Sequence, residues 1–201
     1  DSLRMFFANS PLLNGWDQPF TEESLREIIK KVHLPLWNSF SFFITYATID
    51  NFTPTKYSIN ELLKTSEPLE NDLDSWIVWK TAQLISEVDT QMQAYSIQKA
   101  TTPIYEFLDD LTNRYIRRSR RRFWKWEMDN EKLQWYETLF VVLIELCKVL
   151  APFMPFLSEY IFKALTNKES VHLEDRTVIT DIWSNNQKLL ADMDLTKQIV
   201  E

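Results

Sequence analysis

Apolar residues recur every three or four positions along most of this chain, the spacing of helices that bury one face. Residues 1–10 place Leu3, Phe6 and Phe7 at that spacing, and Pro11 stops the run. Residues 11–19 hold two prolines and the only glycine, Gly15, and read as a connector. Thr21 then has the character of an N-cap. Glu22 and Glu23 come next in the first turn, where the helix dipole favours acids, and Phe20 is expected to staple onto Leu25. Leu25, Ile28, Val32, Leu36, Phe40, Phe43 and Ala47 continue the stripe. Pro35 is expected to kink this helix or break it in two.

Residues 50–71 are polar, contain Pro54 and Pro68, and read as a long loop. A helix is expected from Asp72, with Trp76, Ile77, Leu84, Ile85, Val88, Met92 and Tyr95 on its apolar face. Ser96 reads as the next N-cap. The helix it opens carries Ala100, Ile104, Leu108, Leu111 and Tyr115 and runs on into a string of arginines; Pro103 is tolerable there only near the first turn. Residues 127–130 interrupt the pattern. A further helix is expected over 131–150 with Tyr136, Leu139, Leu143, Leu146 and Leu150 on one face. Pro152 ends it, and Pro155 starts a short helix holding Phe156, Leu157, Tyr160, Ile161 and Leu165. The alternation of residues 170–174 suggests a short strand, as does the run 178–182, and residues 186–201 read as a last helix.

The pattern predicts an all-α protein: an antiparallel bundle of four to five helices with a small C-terminal strand/helix appendage. Residues 1–19 read as a lead-in and connector, 20–167 as the bundle, and 168–201 as a C-terminal junction. A single glycine among 201 residues agrees with this, because sheet-rich folds need many tight turns. Hydrophobic residues make up 45% of the chain, enough to fold. The one cysteine, Cys147, lies in an apolar run and reads as a buried thiol; it excludes an intrachain disulfide and any Cys-based zinc site. No run approaches the roughly 20 apolar residues that span a bilayer. The chain begins at Asp1 without an initiator Met, so it is expected to be a piece of a longer protein.

Charge changes the picture. The chain carries a net −7, which ordinarily argues against nucleic acid as a partner. Yet residues 112–126 hold Arg114, Arg117, Arg118, Arg120, Arg121, Arg122 and Lys125 and no acid, so this run of +7 leaves −14 for the remainder. Projected as a helix, Ile104, Leu108, Leu111, Tyr115, Ser119, Phe123 and Trp126 take the core side. The cations cover the rest, with Arg122 at the core boundary and Trp124 between Arg117 and Arg120. Guanidinium groups fork onto phosphates and stack on bases. An exposed indole among them offers an unpaired base a surface, worth ~1–3 kcal/mol. The competing reading is a solvated helix face salt-bridged to the acidic remainder, and Arg114 and Arg122 are the cations best placed for that role.

Other chemistry is thin. Glu169 and His172 form a lone Glu-x-x-His spacing, and His33 reads as a structural residue. There is no glycine-rich phosphate loop and no prominent carboxylate pair.

The segment Asp109-Asp110-Leu111-Thr112-Asn113-Arg114-Tyr115-Ile116-Arg117-Arg118-Ser119-Arg120-Arg121-Arg122-Phe123-Trp124 closely resembles the signature of the anticodon-binding domain of isoleucyl-tRNA synthetases. Tyr136-Glu137-Thr138-Leu139 and the segment Leu150-Ala151-Pro152-Phe153-Met154-Pro155-Phe156-Leu157-Ser158-Glu159 resemble the next helices of that family. Ser170-Val171-His172-Leu173-Glu174-Asp175 is similar to their continuation. Asp1-Ser2-Leu3-Arg4 with Asn9-Ser10-Pro11 resembles the helix after the family's catalytic lysine loop. Two positions depart from the family: Arg114 stands where Trp is common, and Arg176-Thr177 where an aromatic-Pro pair is usual.

The resemblance implies a tRNA-binding bundle within an enzyme that joins isoleucine to its tRNA. Arg117, Arg118, Arg120, Arg121, Arg122, Trp124 and Lys125 would contact RNA, and no residue here would be catalytic. Neither ATP-site signature of the family occurs in this chain, so ATP and Mg2+ belong to the parent enzyme and no cofactor is expected here. The implied partners are tRNA and the remaining domains of the parent; the implied setting is a cytoplasmic monomer with no membrane contact. The open alternatives are a valyl or leucyl relative and a helical protein-interaction scaffold.

Overall fold

The computed structural model describes residues 1–64, 69, 71–124 and 128–179, with Leu13, Asn14, Leu63 and Lys64 described by backbone alone. Among the described residues seven helices form an all-α bundle, and no strand occurs. They are α1 (Ser2–Asn9), α2 (22–49), α3 (Ile59–Lys64), α4 (Asp72–Gln93), α5 (97–123), α6 (Asn130–Leu150) and α7 (Pro155–Thr166).

The expected start of α2 is present. Thr21 accepts the Ser24 N–H at 3.2 Å and Ser24 accepts the Thr21 N–H at 3.4 Å, a reciprocal capping box. Its stripe Ile28, Val32, Leu36, Phe40, Phe43 and Ala47 is buried. The Phe20 ring sits edge-on against Phe6, 5.4 Å between centroids.

Pro35 neither breaks nor ends α2. The helix widens over Ile29–His33 into a π turn, in which the Leu34 N–H bonds the Ile29 carbonyl five residues back. Two causes coincide. Pro35 has no N–H to return to Lys31, and the core positions 28, 32, 36 and 40 are four apart, a spacing that drifts off one face of an ordinary helix but stays on it where the turn is wider. The same spacing governs α5, where Leu111, Tyr115, Ser119 and Phe123 are buried and Asp110–Ile116 is π-helical. Its closing bond runs from the Arg117 N–H to the Thr112 carbonyl.

Helices α4 and α5 form a hairpin. Tyr95 makes the turn at φ 56° and is 91% exposed, so it closes the connection rather than joining the apolar face. Pro103 lies in the second turn of α5, deeper than the sequence reading allows; the helix carries it through where α5 packs on α4. The core centres on α6, whose residues 135–147 are all buried. Cys147 is among them, and burial pushes its thiol pKa far up.

The stretch expected to be one loop, 50–71, contains α3, whose Ile59 and Leu62 are buried. Two acids on α6 hold this stretch down. Glu137 accepts the Thr55 N–H at 2.8 Å, the Thr55 hydroxyl at 2.7 Å and the Lys56 N–H at 3.2 Å. Glu145 accepts the Ile59 N–H at 3.3 Å and the Thr177 hydroxyl at 2.6 Å. Likewise the Asp1 carboxylate accepts the N–H groups of Phe156 and Leu157, at 3.1 and 2.7 Å, and so caps α7.

The C-terminal expectation is corrected in part. Residues 170–174 form no strand: Ser170 caps a single 3-10 turn, Val171–Leu173, which buries Val171 and leaves Leu173 exposed. Residues 176–179 have no strand partner among the described residues. The rest of the expected second strand, the expected last helix and Trp126 lie outside the described residues. The short helix expected from Pro155 is α7, with Ile161 and Leu165 buried and Phe156 and Tyr160 exposed.

Candidate nucleic-acid interface

The last turns of α5 alternate anchors with free side chains. Ser119, Arg122 and Phe123 point inward, while Arg117, Arg118, Arg120, Arg121 and Trp124 are exposed. Phe123 is wedged edge-on against Trp135, 3.5 Å between centroids, and packs on Phe42 at 4.8 Å and Tyr46 at 5.3 Å. This aromatic cluster fixes the rotation of the helix end, and the residues between the anchors necessarily face out.

Arg122 is the second anchor. It is 7% exposed, and it forks onto fully buried Asp74 with both bonds at 2.7 Å. The same guanidinium donates to the Glu131 carbonyl at 2.8 Å, and its Nε lies 3.3 Å from the Glu131 carboxylate. The Tyr115 hydroxyl donates to Asp74 at 2.7 Å. Burial works against the charge on Arg122, but the bonds with Asp74 overcome it and hold the pKa above the ordinary arginine value. Burial, with the Asp74 charge added, pushes the Tyr115 phenol well up. Both terminal nitrogens of Arg122 are thus hydrogen-bonded within the protein, and its Nε is paired with Glu131 by charge alone. Its assignment to the RNA-contact set is corrected: this side chain ties α5 to α4 and to the start of α6.

Arg114 is also engaged, 3.0 Å from nearly buried Asp110 one turn back. By contrast, Arg117, Arg118, Arg120 and Arg121 have no ion pair among the described residues. Trp124, at the end of the helix, is 65% exposed. Lys125 lies outside the described residues. Of the seven residues expected to touch RNA, the fold therefore brings five together on one outward face, namely the four free arginines and Trp124.

The face has a second wall that the sequence did not disclose. Arg117 and Arg120 line a groove of about 550 Å³ whose opposite side is α2, with Lys30 and Asn38. Beside the two π turns it adjoins a wider space of about 770 Å³, lined by Glu27, Glu106 and Asp109 and by Lys30, Lys31 and Arg114. Helical spacing shows which face of α2 is apolar but not which helix stands across from its polar face, so Lys30 and Asn38 carried no signal. The other chemistry considered from sequence stays apart from this face. His33 lies 3.4 Å from the Ser2 hydroxyl, and burial lowers its pKa. His172 is exposed on the 3-10 turn.

Residues 74–201 match the family model described as the anticodon-binding domain of tRNA ligase. The whole chain is 37% identical to part of the isoleucine–tRNA ligase of Protochlamydia amoebophila, covering 19% of that protein. It is 39% identical over 87% of its length to 17% of the isoleucine–tRNA ligase of Treponema denticola. It is 35% identical over 96% of its length to 18% of the one from Chlamydia trachomatis. The chain thus spans about a fifth of the length of the curated relatives it matches.

Proposed function

Because this chain belongs to the family of anticodon-binding domains of tRNA ligases, we propose that it grips the anticodon stem-loop of isoleucine tRNA for an isoleucine–tRNA ligase. The observation that carries this is the contrast within the last turns of α5. Arg122 and Phe123 are locked into the core while Arg117, Arg118, Arg120, Arg121 and Trp124 stand free. Four guanidinium groups that are exposed and unpaired among the described residues, beside an exposed indole, suit an RNA loop, whose phosphates take the arginines and whose unpaired bases stack. A scaffold whose arginines are internal ion-pair members accounts for Arg114 and Arg122 only.

In this reading the chain performs no chemistry. The parent enzyme joins isoleucine to tRNA in the cytoplasm as a monomer, using ATP and Mg2+ bound in its other domains. Binding energy gathered here positions the distant acceptor end for reaction. The valyl and leucyl alternatives find less support, since the three relatives compared with the chain are named for isoleucine.

The test is a binding titration of the chain and its Arg121→Ala and Trp124→Ala variants with isoleucine and methionine tRNA transcripts. Trp124→Ala should weaken isoleucine tRNA about 5- to 100-fold, as the loss of one stacked base does, and Arg121→Ala should also weaken it. Unchanged affinity in both variants would remove the site.

A further inference from the structure

The groove between α2 and α5 is lined by Lys30, Arg117 and Arg120 and by no acid among the described residues. A phosphate is attracted there. The adjoining space is mixed in charge, with Glu27, Glu106 and Asp109 beside Lys30, Lys31 and Arg114. The attraction for an RNA backbone is therefore concentrated in the groove beside the arginines.

Asn38 lines this groove, is exposed and has no side-chain partner among the described residues. An amide presents a donor and an acceptor side by side, and that pair can match a base edge; arginine and lysine present donors only. The nearby Asn113 is less available, since its amide nitrogen donates to Asp109 at 2.6 Å. At about 550 Å³ the groove falls in the size range of sites that hold small ligands, roughly 300–1,000 Å³, so there is room for a nucleotide.

We propose that this groove receives a single-stranded segment of the tRNA, with its phosphates on Lys30, Arg117 and Arg120 and one unstacked base against the Asn38 amide. Discrimination between tRNAs then depends on α2 as well as on the arginine helix. The inference rests on the anticodon reading and adds a second protein wall and a base-reading residue to it.

Cys147 is the only cysteine and is buried, so a cysteine placed on the surface can be labelled selectively with a photo-crosslinker. Asn38→Cys, labelled and irradiated with an isoleucine tRNA transcript, should crosslink to unpaired anticodon-loop nucleotides. Glu23→Cys, at the far end of α2, should not. In titrations, Asn38→Ala should reduce the preference for isoleucine over methionine tRNA at least about fivefold. Lys30→Ala should weaken both tRNAs alike and lessen the salt slope by about 1. Crosslinks confined to the stem, or a preference unchanged by Asn38→Ala in a chain that Arg121→Ala still weakens, would overturn the groove alone. A chain that binds neither tRNA, or that Arg121→Ala leaves unaffected, would defeat the anticodon reading and the groove together.

Discussion

Arg121 and Arg122 are adjacent, identical in chemistry and opposite in circumstance. Arg121 faces water, while Arg122 meets an aspartate from which water is excluded altogether. An ion pair without solvent contributes little over an apolar pair of the same shape, but removing one member strands a bare charge in a poorly polarisable interior. Arg122→Ala should therefore lower the unfolding free energy by about 3–5 kcal/mol, whereas Arg121→Ala should change it by no more than about 0.5 kcal/mol. Urea titration of the two variants measures both. Asp74→Leu combined with Arg122→Met should recover most of the loss, because it removes both charges and keeps the volume. A loss below about 1 kcal/mol in Arg122→Ala would mean that its guanidinium is solvated and that α5 is rotated differently about its axis. The sequence placed Arg122 at the core boundary and, with Arg114, among the cations best placed for an internal ion pair, but it could not name the partner, since Asp74 is 48 residues away.

The long helices were legible because each carries a continuous apolar stripe: α2, α4, α5 and α6 lie where the spacing puts them. Short elements were not. In α3 the buried positions among the described side chains are Ile59 and Leu62, one turn's worth of signal inside a polar stretch. At residues 170–174 the alternation of Val171 and Leu173 imitates a strand, yet Ser170 caps a turn and only Val171 is buried. The π turns were half visible, since Pro35 announced a disturbance in α2 but the rows of core residues four apart determined its form. What orders the stretch before α3 is neither propensity nor pattern but Glu137, an acid on the face of α6 that lies against the loop. Glu137→Gln should isolate this effect. Its remaining oxygen can still accept both groups of Thr55, but its new NH2 confronts the Lys56 N–H, donor against donor. The Lys56 amide should lose hydrogen-exchange protection by about 10-fold or more, corresponding to a local cost of about 1–3 kcal/mol. Protection equal to the parent chain at Lys56 would show that α6 does not pin this loop.

At the scale of the whole molecule, the distribution of charge restricts where RNA can sit. The chain carries −7 overall, and seven of its 22 cations fall within residues 112–126, a run without an acid, which leaves −14 for the remainder. Phosphates are therefore favoured at the end of α5 and on average disfavoured elsewhere, so binding should be both oriented and limited in the number of phosphates it neutralises. Four exposed arginines and Lys30 across the groove supply five charges, and Lys125 can add at most one. Each phosphate neutralised releases condensed counterions. For five or six contacts the logarithm of the binding constant should fall against the logarithm of salt concentration with a slope of about −3.5 to −5. If Arg114 and Arg122 also reached phosphates, the slope would steepen toward about −7. The ion pairs of those two arginines with Asp110 and Asp74 exclude that. Titration with isoleucine tRNA between about 50 and 200 mM salt distinguishes the cases. A slope of about −4 belongs to a rim of free cations on an acidic body, and a slope near zero belongs to a protein that holds its RNA partner, if it has one, by some other face.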